Sequence, residues 1–218
     1  MTAVGVPQAY VTGWKGFYRR EFAVNEHVLV PRPETEHLIE DALEFMRATG
    51  RRRVLDVGTG SGAIACTIAS EVSDAIVTAS DVSLRALVVA ARNAARLGVT
   101  GRCTFALADI APEGADGYDL IVANLPYIPS ADVPQKPDPV GFEPRLATDG
   151  GADGLQEYRK LLSRAPGLAR AGALLLMEAA PPTIAGLRAL AREAFPGTAI
   201  SVHRDYARLE RYLRIVTR

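Results

Sequence analysis

A chain of 218 residues with 48% hydrophobic and 23% charged residues has the composition of a globular protein able to bury a sizeable core. Its 25 basic and 25 acidic residues cancel, which argues against the strongly basic footprint of a dedicated nucleic-acid binder. Cys66 and Cys103 form no C-x-x-C pair, no run approaches the roughly eighteen apolar residues of a membrane span, and the N-terminus lacks a signal-peptide layout. The expectation is a soluble cytoplasmic protein with buried, reduced thiols and no metal site.

Residues 1–30 mix aromatic, apolar and polar positions, with Gly13 and Gly16 as turn signals. Short strands are expected at Phe17-Tyr18, Phe22-Ala23-Val24 and Val28-Leu29-Val30, forming a hairpin with Asn25-Glu26 at its tip. Pro31-Arg32-Pro33-Glu34-Thr35-Glu36 carries helix-entry signals, because proline suits a first helical position and acids suit the positive end of the helix dipole. Leu38, Ile39, Ala42, Leu43 and Met46 then recur at helical spacing.

From there strand and helix alternate. Strands are expected over 54–57, 75–79, 103–107, 120–123 and 173–177, with closing strands over 200–202 and 211–216. Helices are expected over 63–70, 84–97, 155–168 and 183–195. Residues 129–154, rich in Pro and Gly, are too long for an ordinary connection and suggest a lid that includes Phe142 and Glu143. The pattern predicts an α/β fold with a mostly parallel seven-stranded sheet flanked by helices. The expected division is a hairpin extension over 1–30 and the main domain over 31–218.

Two segments carry chemistry. After the strand at 54–57 comes Gly58-Thr59-Gly60-Ser61-Gly62, whose glycines let the backbone turn sharply and approach a ligand without Cβ obstruction. The helix that follows presents unpaired N–H groups to that ligand. Asp81 ends the next strand, where a carboxylate can accept two ribose hydroxyls or cap the following helix, a role Ser83 could equally fill. Asp109-Ile110 follows the third strand and could grip an adenine edge and face. A dinucleotide turn would place its third glycine at Ala63, where alanine is sometimes tolerated, so the turn only leans toward S-adenosylmethionine and the tetrapeptide downstream decides it.

The second segment is Asn124-Leu125-Pro126-Tyr127, at the mouth of the apolar run 118–123. The Asn124 oxygen and the carbonyl of Leu125 can accept both hydrogens of a planar NH2 group, and the Tyr127 ring can pack on its face. Asn124 also borders the cofactor side. A plain β-turn is the alternative, since Asn and Pro are turn residues. Beside the glycine turn, the combination points to methyl transfer onto an amide or exocyclic amine. His27, His37 and His203 are isolated, Arg51-Arg52-Arg53 reads as a solvated strand entry, and the arginines over 204–218 as a solvated edge.

The chain resembles the HemK/PrmC family of protein-(glutamine-N5) methyltransferases, which act on peptide-chain release factors. The resemblance covers nearly the whole length. It rests on Tyr10-Val11-Thr12-Gly13, Phe17-Tyr18, the Pro-Arg-Pro-Glu-Thr-Glu segment from Val30, Leu55 through Ile64, Asn124-Leu125-Pro126-Tyr127-Ile128, Glu143-Pro144, Asp149-Gly150-Gly151, Asp153-Gly154-Leu155 and Glu178. It implies a class I, Rossmann-like methyltransferase with S-adenosylmethionine held by Gly58, Thr59, Gly60, Ser61, Gly62, Asp81, Asp109 and Ile110. It also implies that Asn124, Leu125, Pro126 and Tyr127 hold a substrate glutamine of a release factor, with no membrane and no stable nucleic-acid partner.

This chain departs from the family pattern in three ways. Leu125 stands where the family has a first proline, although Pro126 still biases Leu125 toward extended angles. The family's N-terminal helical domain is not expected here, and the segments at 178–182 and 205–211 match loosely. Methylation of an adenine N6 on DNA or RNA, and a cofactor-binding module without activity, stand as alternatives.

Overall fold

The computed structural model describes residues 4–218. A short helix, α1 (Gln8–Thr12), leads into a hairpin of β1 (Trp14–Phe17) and β2 (Arg20–Ala23). A 3-10 turn at Pro33–Thr35 opens α2 (Glu36–Thr49), which buries Leu38, Ile39, Ala42, Leu43 and Met46. Then follow β3 (Arg53–Val57), α3 (Ala63–Glu71), β4 (Ile76–Asp81), α4 (Leu84–Arg96), β5 (Cys103–Leu107) and β6 (Tyr118–Ala123). After a long connection containing α5 (Arg145–Thr148) come α6 (Gln156–Leu168), β7 (Ala169–Glu178), α7 (Pro181–Ala194), β8 (Ile200–Arg204) and β9 (Glu210–Val216).

Seven strands form one sheet in the order β5-β4-β3-β6-β7-β9-β8. The pairings from β5 through β7 are parallel, and β9 runs antiparallel to both its neighbours. β6 and the second half of β7, Ala173 to Glu178, are buried on both faces, which is why 120–123 and 173–177 read as unbroken apolar runs. Leu120, Val122, Leu174 and Leu176 meet α2 and α3 on one face, while Ile121, Leu175 and Met177 meet α6 and α7 on the other.

The chain builds outward from β3 through β4 to β5, then returns to lay β6 on the opposite side of β3. The carboxyl ends of β3 and β6 therefore flank the topological switch point, where open α/β sheets bind ligands. Register aligns the exits: Val57 pairs with Ser80 and with Ala123, and Ala123 pairs with Met177. The next residue on each strand is Asp81, Gly58, Asn124 and Glu178, so these four make one row along the carboxyl edge.

The N-terminal hairpin exists, but its turn is not at Asn25-Glu26. The chain reverses at Tyr18-Arg19, with φ of 43° and 62°, joining Phe17 to Arg20. Two adjacent positive-φ residues suit the twist of a two-residue hairpin loop. Asn25 does form a turn, its Oδ1 accepting from His27 N at 3.0 Å, but Val28-Leu29-Val30 pairs with no strand. Instead Tyr10 Oη donates to the Val28 carbonyl at 2.6 Å and Glu143 Oε1 accepts from Val30 N at 3.0 Å. Cys66 and Cys103 are free and buried against one another between α3 and β5; that contact and burial keep the Cys66 thiol protonated.

Candidate active site

The row of strand exits opens into a cavity of about 870 Å³, the larger of two prominent hollows among the described residues. Gly58, Thr59, Gly60 and Ser61 form one wall, with Asp81, Asp109, Ile110, Asn124, Leu125 and Pro126 around them. Gly58 and Gly60 take φ of 70° and 55°, in the left-handed region that favours glycine. A Cβ at Gly60 would point into open space, with its nearest neighbour 4.0 Å away, so the turn is a cradle left vacant by the missing side chains. A methyl at Gly58 would stand 2.8 Å from Leu125 Cδ2, so these two residues are packed to contact.

Gly62 and Tyr127 do not line the cavity. Gly62 faces the other way, and a Cβ there would lie 3.0 Å from the Ala90 Cβ, so it lets α3 start close against α4. Tyr127 lies behind the wall, packed on the core beneath α6 and α7, and burial raises its hydroxyl pKa.

Beneath the glycine turn, Asp56 is fully buried. Its Oδ2 accepts from Thr59 Oγ1 at 2.6 Å and from Ala65 N at 3.1 Å, while Oδ1 has no partner. Burial pushes its carboxyl up to about 7. Asp81 stitches the next layer: Oδ2 accepts from Gly60 N at 2.9 Å and Oδ1 from Ser83 N at 2.8 Å. Ser83 is the cap of α4, accepting from Ala86 N, which leaves Asp81 free of that duty. Each Asp81 oxygen keeps a second lone pair for a ligand hydroxyl.

Ile110 adopts φ of 72°, a genuine outlier for a β-branched residue. It is the centre of a three-residue turn in which Ala111 N donates to the Asp109 carbonyl at 3.0 Å. The turn is held from behind. Ser80 Oγ donates to the Ile110 carbonyl, and Arg164 Nη1 on α6 donates to the carbonyls of Asp109 and Ala111 at 2.7 and 3.1 Å.

On the opposite wall, Asn124 Nδ2 donates to Thr35 Oγ1 at 3.1 Å and Leu125 N donates to Tyr158 Oη at 3.2 Å. Tyr158 in turn donates to the Glu178 carbonyl. The connection over 129–154 is knit to the site rather than loose. Ser130 N donates to the Gly151 carbonyl at 2.9 Å, Gly150 N to the Ile128 carbonyl at 2.8 Å, and buried Glu143 pairs with Arg32. Pro144, Arg145, Leu146 and Ala147 from this connection line the cavity.

Two residues outside every motif, Tyr158 and Arg164, thus shape the site, together with Thr35, Asp56 and Glu178, which lie within quoted motifs but carry no assigned site role there. Glu178 carries a usable signal, a lone acid ending an otherwise apolar strand. Register then places it beside Asn124.

The methyltransferase small domain family matches residues 37–135. The release factor glutamine methyltransferase of Moorella thermoacetica is 42% identical over 210 residues, covering 96% of this chain and 74% of that protein. The enzyme of the same description from Neisseria gonorrhoeae is 42% identical over 95% of this chain and 75% of its own. Among solved structures, the T. thermophilus 16S rRNA N2 G1207 methyltransferase in complex with AdoMet and guanosine superposes with a TM-score of 0.66 at 18% identity, over 94% of this chain and 50% of that one. This likeness concerns the fold.

Proposed function

The chain belongs to the release factor glutamine methyltransferases, and from that premise we propose that it methylates the side-chain amide nitrogen of a glutamine in a peptide-chain release factor, using S-adenosylmethionine. The observation that carries this reading is the row in which the amide of Asn124 stands beside the Cβ-free cradle at Gly58 and Gly60.

The cofactor supplies an electrophilic methyl group on a sulfonium when bound. The residues present fit it. Gly58, Thr59, Gly60 and Ser61 admit close backbone approach, with Gly62 seating the helix behind them. Asp81 offers lone pairs to ribose hydroxyls, and Asp109 and Ile110 present an acceptor and an apolar face to a base. Asn124 Oδ1 and the carbonyl of Leu125 each accept one N–H of the substrate amide. Its nitrogen is a poor nucleophile because its lone pair is delocalised, and alignment of that lone pair is worth about 7–11 kcal/mol in favourable cases. Pro126 keeps Leu125 extended, and Tyr127 supports the tetrapeptide from the core side. A strong base is not required, since the amide proton becomes acidic once the nitrogen carries four bonds.

The test uses methyl-labelled cofactor with a release factor and, separately, with adenine-containing nucleic acid. Label should appear on a glutamine of the release factor. Asn124→Ala should lower turnover by on the order of 100-fold while cofactor affinity changes by no more than about threefold. Label on nucleic acid with none on protein, or undiminished turnover in the variant, would overturn the reading.

A further inference from the structure

In the antiparallel hairpin of β1 and β2, successive residues of β1 point their backbone groups alternately toward β2 and away from it. Val24 N donates to the Gly13 carbonyl at 3.0 Å, and the register pairs Lys15 with Phe22 and Phe17 with Arg20. Gly13, Lys15 and Phe17 therefore face β2. Trp14 and Gly16 turn their N–H and C=O groups outward, to an edge that no strand covers among the described residues.

The outward groups on either side of Gly16 are taken. The N and carbonyl oxygen of Trp14 stand 3.4 and 3.2 Å from Thr12 Oγ1, and Tyr18 N donates to Glu36 Oε1 at 2.9 Å. The N–H and carbonyl of Gly16 have no partner among the described residues. An edge pair left open in this way is a template for the main chain of another segment.

The glycine itself is a second, independent sign. Its φ lies outside the left-handed region, β1 and β2 run past it without a bulge, and a Cβ there would meet nothing within 4 Å. The fold thus gains nothing from glycine at this position and loses chain entropy by it. Within a strand, such a residue marks the close approach of another backbone.

Its location indicates which backbone. Gly16 lines a hollow of about 350 Å³ walled by Pro7, Val30 and Pro139. Phe17, the next residue, lines the large cavity instead, and Arg32 lines both. Buried Glu143 fixes that partition, accepting from Val30 N at 3.0 Å and pairing with Arg32. The two hollows are thus neighbours across one side chain. An extended chain advances about 3.3 Å per residue, so a short run beside a glutamine held in the large cavity passes into the smaller one.

We propose that Gly16 is a substrate-binding residue, whose free N–H and C=O clamp the main chain of an extended release-factor segment flanking the target glutamine. That segment adds to β1 as a third strand. The inference rests on a release factor being the substrate.

Two measurements with an intact release factor test this. The first is made on 15N-labelled protein saturated with S-adenosylhomocysteine, where the Gly16 amide is identified by its displacement in Gly16→Ala. That amide should exchange rapidly with water and slow by at least about tenfold when release factor is bound. An amide that exchanges equally fast with release factor bound overturns the proposal. The second uses Gly16→Pro, which deletes the N–H and which an edge strand tolerates where that group faces solvent. It should raise KM for the release factor about tenfold, with kcat and cofactor Kd within about twofold. Gly16→Ala keeps the N–H and should hold KM within about threefold of wild type.

Equal KM values in the Pro and Ala variants would also overturn the clamp. Should Gly16→Pro fold poorly, the exchange measurement on the wild-type protein decides. No label on the release factor from the wild-type protein would sink the substrate reading and the clamp with it. Label transfer with an unprotected Gly16 sinks the clamp alone.

Discussion

Leu125 donates its N–H to Tyr158 Oη, and that hydroxyl donates onward to the carbonyl of Glu178. The proline expected from the resemblance has no hydrogen to give. At this position the stiffness of a ring is therefore replaced by a hydrogen bond to α6, made by a tyrosine that is wholly buried and whose hydroxyl burial keeps protonated. Tyr158→Phe should cost about 1–3 kcal/mol, because two backbone groups lose their partner inside the core. In a Leu125→Pro background the same change should cost measurably less, since one of those groups no longer exists. Denaturant unfolding of the four proteins gives the coupling directly, and an identical penalty in both backgrounds would refute the pairing. Asn124 and Leu125 are legible in sequence because their chemistry is local. Thr35 and Glu178 stand in segments the sequence marks, but their place beside Asn124 is not legible, because Thr35 meets it across 89 residues and strand register sets Glu178 next to it.

Elements that look peripheral turn out to build the site's walls. The β1–β2 hairpin contributes Phe17 to the cavity and is bound to the glycine turn through buried Asn93 on α4. That side chain accepts from Ala23 N at 2.8 Å and donates to the carbonyls of Ala23 and Ser61 at 3.0 and 2.8 Å. Helix α6 has a comparable reach, since Arg164 clamps the turn around Ile110. Holding a β-branched residue at positive φ costs of order 1–3 kcal/mol, which the surroundings must supply. Arg164→Ala should therefore weaken cofactor binding by about tenfold, read by calorimetry, with kcat at saturating cofactor nearly unchanged. Unaltered affinity would mean the turn holds its shape unaided. Helices and sheet strands are legible because each carries a clear period, 3.6 or an apolar run bounded by turns. The hairpin turn escapes such reading, because Tyr18-Arg19 lacks the Gly or Asn that usually marks positive φ.

At the scale of the molecule, the order β5-β4-β3-β6-β7-β9-β8 brings segments from the first and second halves of the chain to one crevice. Strand and helix alternation makes such a sheet legible in sequence; which exits stand side by side is not, since that depends on how the chain crosses over. The crossing is what puts Leu125 against Gly58 with no room for a methyl between them. Two binding events that share a wall cannot be energetically independent. Ordering the glycine turn around the cofactor also braces the tetrapeptide that receives the acceptor, so each ligand should raise the affinity of the other. Thermodynamics requires the two enhancement factors to be equal. Titrating S-adenosylhomocysteine with and without a release factor, and then the reverse, would measure both. Leu125→Ala, which opens a gap at the shared wall, should shrink the two factors together; enhancement that survives this change intact would place the communication elsewhere. The side chain missing at Gly58 would then be the means by which an enzyme with an empty donor site avoids engaging a translation factor it cannot yet modify.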